Sequence, residues 1–312
     1  MEHRGSRVRY RASEGEPRLF LERLLHGTRS QALECGLERV RRSVRRRNRT
    51  DLRTRLPVPS GAFWKIRTRA DPQLARERAR GVLTVRVIAR LDVATKRAPL
   101  KRARELEACG ADALWIFGNH VDCTLHVVGK LRSEISIPIA AACPADLENI
   151  SECFEAGADR VLLPAHALST IAAVAERYGS SSTTAAIDTI EGEPDKGSRL
   201  RPEPAGSPSD DPVHLARLAA EHGAGEIALS TFCRAGALSA PDGEWTAAIS
   251  STLQVPLVAA GIATWEQGYT ALSAGADAVL ARDSVGEAAR SIVRVKFHLA
   301  ELGIRVRPQV GS

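Results

Sequence analysis

Two aspartates close short apolar runs of one kind: Asp92 ends RVIARLD and Asp188 ends TTAAID. Paired carboxylates are what general acid–base chemistry needs. Held in different surroundings they take different pKa values, so one donates a proton while the other accepts one. A single strand-end Asp more often caps the helix that follows. Two at equivalent places in a repeated pattern point to catalysis. Asn119, His120, Cys143, His166 and Cys233 follow other apolar runs. With the aspartates they could build a Cys/His/Asp metal site or a thiol-based site. Their scatter is diagnostic of neither. A lone His near a turn is usually a cap or a surface group, and no metal or cofactor is expected.

The elements that would position these groups follow from a repeat. Residues 137–168 read IPIAAACPADLENISECFEAGADRVLLPAHAL, and residues 255–285 read VPLVAAGIATWEQGYTALSAGADAVLARDSV. The offset is 118 residues, from Pro138 to Pro256. Each copy runs strand, small-residue turn, amphipathic helix, Ala-Gly-Ala-Asp, strand. A shorter echo precedes each, EACGAD at 107–112 and EHGAGE at 221–226. A β-turn-α period that stops after two copies points to a duplicated half-barrel rather than an open array. The patterning predicts strands at 85–92, 113–117, 137–142, 160–163, 183–188, 226–231, 255–260 and 278–282. It predicts helices at 95–109, 123–133, 145–156, 168–178, 212–222, 243–252, 264–274 and 286–302. Eight apolar strands alternating with amphipathic helices make an α/β chain of the (β/α)8, or TIM-barrel, class. Catalytic groups in that class sit at the C-terminal strand ends. Residues 189–211, rich in Pro, Gly, Ser and charge, read as a long mobile loop.

Composition bounds the rest. At 44% hydrophobic residues, a chain of 312 residues can fill a sizeable core. No apolar run approaches the ~18 residues of a membrane span. The N-terminus is basic without an apolar h-region, so a cytoplasmic chain with no membrane partner is expected. The six cysteines, at 35, 109, 123, 143, 153 and 233, show no CxxC spacing and read as reduced, mostly buried thiols. The formal charge of +7 is uneven. Residues 1–80 carry 22 Lys/Arg against 9 Asp/Glu, a net +13, which leaves −6 on the remainder. The chain therefore divides into a basic extension, 1–80, and a mildly acidic barrel, 81–312. The extension holds a charge block, RVRRSVRRRNR at 39–49, and a linker-like PVPSG at 57–61. Aromatic residues are not interleaved with its basic ones as stacking platforms, so a nucleic-acid partner is not expected.

Five stretches carry a family resemblance: RVIARLDV at 86–93, the repeated AGAD, AID at 186–188, GAGEIALS at 223–230 and VPLVAAG at 255–261. They resemble the cyclase subunit of imidazole glycerol phosphate synthase, a barrel of histidine biosynthesis. The related phosphoribosyl isomerase is a weaker match. The resemblance covers about 86–307 and excludes the extension. It implies a glutaminase partner at the N-terminal barrel face and ammonia passing through the barrel to a small phosphorylated ribosyl-type substrate. It implies that Asp92 and Asp188 are the acid and base. It further implies a charged gate at the barrel base, where Arg86, Arg160 and Glu226 match three members and Ala113 stands for the fourth, an acid. An inward charge is costly unless paired, so Arg86–Glu226 and Arg160–Glu226 contacts are expected whether or not ammonia passes. Phosphate would rest on backbone N–H groups around Ala142, Cys143, Gly261, Ala263 and Ser284. Asp159 matches a position at the glutaminase interface and also belongs to the generic AGAD turn.

The chain departs from the family at those turns. Pro144 removes one donor after the third strand, a double glycine is reduced to Gly261-Ile262, and Asp283 brings an acid to the last turn. The turn after the sixth strand, CRAGA at 233–237, lacks a carboxylate, and the loop after the first has shrunk to 94–99, with Lys96 outside any matching motif. One reading is a diverged ammonia-dependent cyclase or lyase. The other is a catalytically impaired barrel that binds or regulates a glutaminase or another pathway enzyme.

Overall fold

The computed structural model describes residues 84–93, 98–191, 199–200, 211–233, 235, 237–282 and 288–307. The expected 1–80 extension, with its charge block and linker, lies outside the described residues. Ten strands and eight α-helices are described: β1 Arg86–Asp92, α1 Pro99–Ala108, β2 Ala113–Phe117, α2 Val121–Arg132, β3 Ile139–Ala142, α3 Leu147–Glu155, β4 Arg160–Pro164, α4 Leu168–Tyr178, β5 Thr183–Ile190, β6 Arg199–Leu200, α5 Pro212–Glu221, β7 Glu226–Phe232, β8 Leu238–Ser239, α6 Gly243–Thr252, β9 Leu257–Ile262, α7 Trp265–Ser273, β10 Ala278–Ala281 and α8 Ala288–Glu301. Eight strands pair in parallel around a closed ring, β1-β2-β3-β4-β5-β7-β9-β10 and back to β1. This is the (β/α)8 barrel that the alternation predicts.

Period-2 alternation sorts the side chains. Val87, Ala89 and Leu91 of β1 face the helices and join a large outer core with Leu114, Ile116, Ile139, Leu163, Ile187 and Leu229. The other parity, Ile88, Ala113, Trp115, Ala140, Leu162, Ala228, Val258 and Leu280, fills the barrel interior. Removing two concentric apolar layers from water is the main force closing the ring.

The AGAD repeat has a structural job. Asp112, Asp159 and Asp277 each accept the N–H of a residue in the preceding strand: Val87 at 2.7 Å, Ile139 at 2.9 Å and Leu257 at 3.0 Å. Each returns its own N–H to that residue's carbonyl. The aspartate thus clamps the start of one strand to the start of the next. In the fourth echo Gly225 takes this place, because a Cβ there would collide with the Ser180 backbone. Asp159 also receives Arg132 at 3.1 Å. Asp112 receives Lys296 Nζ at 2.7 Å from α8; that pair is almost fully buried, at 3% and 6% side-chain exposure.

Three expectations are corrected. β3 and β9 begin two residues later than predicted, because Pro138 and Pro256 lack an N–H and contribute only carbonyls, to Leu114 and Ile227. Within the expected loop 189–211, β5 runs on to Ile190 and pairs antiparallel with β6. Cys143 and Cys153 are joined in a disulfide rather than both reduced. Position 143 has the outward parity of Ile139 and Ala141, so its side chain meets the inner face of α3. Cys109, Cys123 and Cys233 are free, and burial pushes the Cys109 thiol up, against the pull of Arg102 and with a further push from Glu105.

Candidate active site

Asp92 ends β1, whereas Asp188 lies two residues before the end of β5, which runs on to Ile190 instead of stopping at the acid as expected. These strands are four places apart in either direction around the ring, so the carboxylates stand on opposite sides of the C-terminal mouth. Both have the inward parity, Asp92 with Ile88 and Asp188 with Thr184. Both are half-buried. Arg90, two residues before Asp92 on the same inward face, brings its guanidinium to 3.9 Å from the Asp92 carboxylate and lies over the Phe117 ring, 3.7 Å from its centroid. Neither partner stood out in the sequence. The spacing of Arg86, Arg90 and Asp92 by even numbers along one strand could have revealed that all three share a face.

At the opposite end, Glu226 is buried at 1% exposure and gathers the predicted gate. Its Oε1 accepts Arg86, and its Oε2 receives Arg160 at 2.6 Å and the Thr184 hydroxyl at 3.1 Å. Arg160 also donates to Thr184 Oγ1 at 3.5 Å. Both arginine–glutamate contacts expected from the cost of an inward charge are present. Ala113 sits above them as a small apolar member of the interior. Next along β2, the Trp115 indole is buried among Ile88, Ala140 and Leu162.

The turns expected to hold phosphate have intramolecular occupants. After β3, Ala142 faces the interior, while the Cys143 N–H donates to the Leu162 carbonyl at 3.2 Å. The helix that follows is capped by Asp146, whose side chain accepts the Glu148 N–H. After β9, the Ala263 N–H donates to Gln267 Oε1 at 2.8 Å, the same oxygen that accepts the Thr264 N–H in the Thr264–Gln267 capping box. Gly261 has φ 90°, and a Cβ there would collide with the Ser239 carbonyl. Its glycine is thus required by the hairpin strand β8, which crosses at this point. Arg282 steadies β8 through the Leu238 carbonyl at 2.8 Å. Ser284 and Lys96 lie outside the described residues.

Asn119 and His120 are exposed, with His120 at the N-cap of α2, and His166 and Cys233 are half-buried. Among the described residues no three His, Cys, Asp or Glu side chains converge as a metal set would. Cys143 is bonded to Cys153 and turned away from the mouth. The mouth therefore holds two opposed carboxylates and a guanidinium, a set suited to proton transfer beside an anionic ligand.

Comparison with known proteins agrees with this architecture. The family model described as "Histidine biosynthesis protein" matches residues 89–285. Imidazole glycerol phosphate synthase subunit HisF of Myxococcus xanthus is 30% identical over 223 residues, 67% of this chain and 87% of that protein. The protein of the same name from Pyrobaculum aerophilum is 33% identical over 228 residues, 67% of this chain and 86% of that one. On fold, repeat and these similarities together, the chain belongs to the histidine biosynthesis protein family, as a HisF-like (β/α)8 barrel.

Proposed function

We propose that the protein is a cyclase-type enzyme of the imidazole glycerol phosphate synthase kind, an ammonia-dependent cyclase/lyase acting on a phosphorylated ribosyl-type substrate. The observation that carries this is the opposed pair Asp92 and Asp188 at the mouth of a HisF-like barrel. One carboxyl group donates a proton to the leaving group while the other takes a proton from the closing ring. Ala142, Gly261, Ala263 and Ser284, with the backbone of Cys143, are proposed to line the substrate's end of the mouth. Arg86, Arg160 and Glu226 are proposed as the gate on the N-terminal face, where a glutaminase subunit would dock and release ammonia. Residues 1–80 are proposed as an extension appended to a barrel of 81–312. Among the described residues no helix is long and apolar enough to cross a membrane, and the pathway reading goes with a cytoplasmic setting.

The second reading, a barrel that binds or regulates a glutaminase without turning over substrate, is favoured by one observation. The Cys143 and Ala263 N–H groups are already engaged within the chain. Ammonia-dependent turnover of the family substrate separates the two. The enzyme reading expects turnover in the parent protein and at least a hundredfold loss in both Asp92→Asn and Asp188→Asn. No turnover in the parent, with glutaminase binding retained, would select the second reading.

A further inference from the structure

At the N-terminal end of the barrel a cavity of about 440 Å³ opens beside the starts of β1, β9 and β10. One wall is the segment that follows α8. Gly303 takes φ 80°, a turn that favours glycine. The chain then returns, so that the Arg305 carbonyl accepts the Val85 N–H at 2.8 Å and Val306 bridges to Val85. Backbone pairing therefore fixes this wall before anything binds. Val85, Leu272, Leu302 and Ile304 give the cavity an apolar lining, and Tyr269 adds a ring and a hydroxyl. Tyr269 and Leu302 are 41% and 44% exposed, and they are two of the four large hydrophobic side chains left open to solvent among the described residues. Apolar side chains left uncovered around one concave place, with a few polar groups beside them, are the usual make-up of a small-molecule site.

The charged residues of the lining decide the sign of what fits. Asp277 uses a carboxylate oxygen on the Leu257 N–H at 3.0 Å, and Arg86 is held by Glu226 at the barrel base. Arg305 differs from both. It is exposed, and its side chain makes no hydrogen bond or ion pair among the described residues. A guanidinium at the edge of an apolar wall recognises a carboxylate through two parallel N–H donors while the body of the ligand packs on the wall. We infer that this cavity is a binding site for a small aromatic carboxylate, with its rings against Leu272, Tyr269 and Leu302 and its carboxylate on Arg305. The site lies at the opposite end of the barrel from Asp92 and Asp188, so it is separate from the proposed reaction and does not depend on it. Arg86 belongs both to this lining and to the Glu226 cluster, so an occupant lies beside the charged base of the barrel.

Titration calorimetry of the full chain with 2-naphthoate tests this, with 2-naphthamide as the uncharged comparison. The expected result is saturable binding of 2-naphthoate, about fivefold tighter than that of 2-naphthamide, because the carboxylate adds a charge-assisted contact. Arg305→Gln should weaken 2-naphthoate about fivefold and leave 2-naphthamide unchanged. Arg305→Lys should retain part of the affinity, since it keeps the charge and loses the fork. Leu302→Asp should weaken both ligands about tenfold, because it sets a hydrated charge on the apolar wall. Arg305 and Leu302 are exposed, so the melting temperature of each variant should stay at the parent value, which separates binding from folding. No saturable binding of 2-naphthoate by the parent protein, equal affinity for the two ligands, or parent-like affinity for 2-naphthoate in Arg305→Gln or Leu302→Asp would each overturn the inference. The first two of these outcomes need no variant, so the inference can fail even where a substitution disturbs the fold.

Discussion

Replacing Lys296 with Met should be among the most damaging single changes in the barrel, although the residue is far from the mouth. Lys296 Nζ meets Asp112 Oδ1 at 2.7 Å with both side chains almost wholly buried, and it also donates to the Arg307 carbonyl at 3.3 Å. Asp112 Oδ2 holds the Val87 N–H. With the ammonium gone, the carboxylate stays buried with one neutral donor, and leaving a buried charge uncompensated costs about 3–5 kcal/mol. For the roughly 220 residues of the barrel, an unfolding entropy of about 2.1 cal/mol/K per residue converts this to a fall in Tm of about 6–11 °C. Urea unfolding followed by circular dichroism, with the melting curve, reads both. The double variant Lys296→Met with Asp112→Asn should recover much of the loss, since its amide oxygen still accepts Val87 and no charge remains. A single-variant cost below about 1 kcal/mol, or a double variant no better than the sum of the singles, would refute the reasoning. The pair also has a pH signature. Burial lowers the Lys296 pKa, more than Asp112 raises it. Between that folded value and the ordinary lysine value the unfolded chain binds more protons, so this group makes stability rise with pH in that window. The gap in unfolding free energy between the parent protein and Lys296→Met should therefore widen from neutral toward alkaline pH, and a constant gap would contradict it.

Glu226→Gln removes the charge that two arginines share; with both partners partly exposed, the expected loss is about 2 kcal/mol, read as the urea midpoint. Gly261→Ala forces a left-handed φ on a residue with a Cβ and drives it into Ser239, so about 2 kcal/mol or more should be lost, and hydrogen exchange across 238–239 should accelerate. Thr264→Ala deletes half of a capping box and should cost about 1 kcal/mol in the same assay. Unchanged exchange at 238–239 in Gly261→Ala would remove the steric account of that glycine.

The repeat and the alternation of periods made the barrel legible before any coordinates. β2, α4 and α6 begin and end at the residues expected for them, because their boundaries are marked by local chemistry. What stayed hidden depends on distance in space. Asp112 and Lys296 are separated by 184 residues, and no local pattern pairs them. The Cys143–Cys153 pairing joins the residue after β3 to α3, a contact that a spacing of ten residues does not announce. The aspartate of AGAD read as generic because its clamp runs backwards to the strand before, a contact that spacing does not display. Asp92 closes its strand as the apolar run suggests, Asp188 sits two residues inside its own, and Arg90 lies within an apolar run, where one charged residue looks like an exception rather than a member of an inward row.

The Arg86–Glu226–Arg160 cluster at the barrel base straddles the repeat. Arg86 and Arg160 come from strands β1 and β4, Glu226 and Thr184 from β7 and β5. Split the chain after α4, and the first fragment carries both cations while the second carries the carboxylate. Two copies of the first fragment closing on each other would crowd four guanidiniums around an apolar axis with no acid; two copies of the second would bury two carboxylates with no base. Only the unlike pair sets a carboxylate between the two cations, so the fragments should ignore their own kind and find each other. A barrel whose two halves repeat one pattern thus carries, in three charged side chains, the instruction that those halves are not interchangeable.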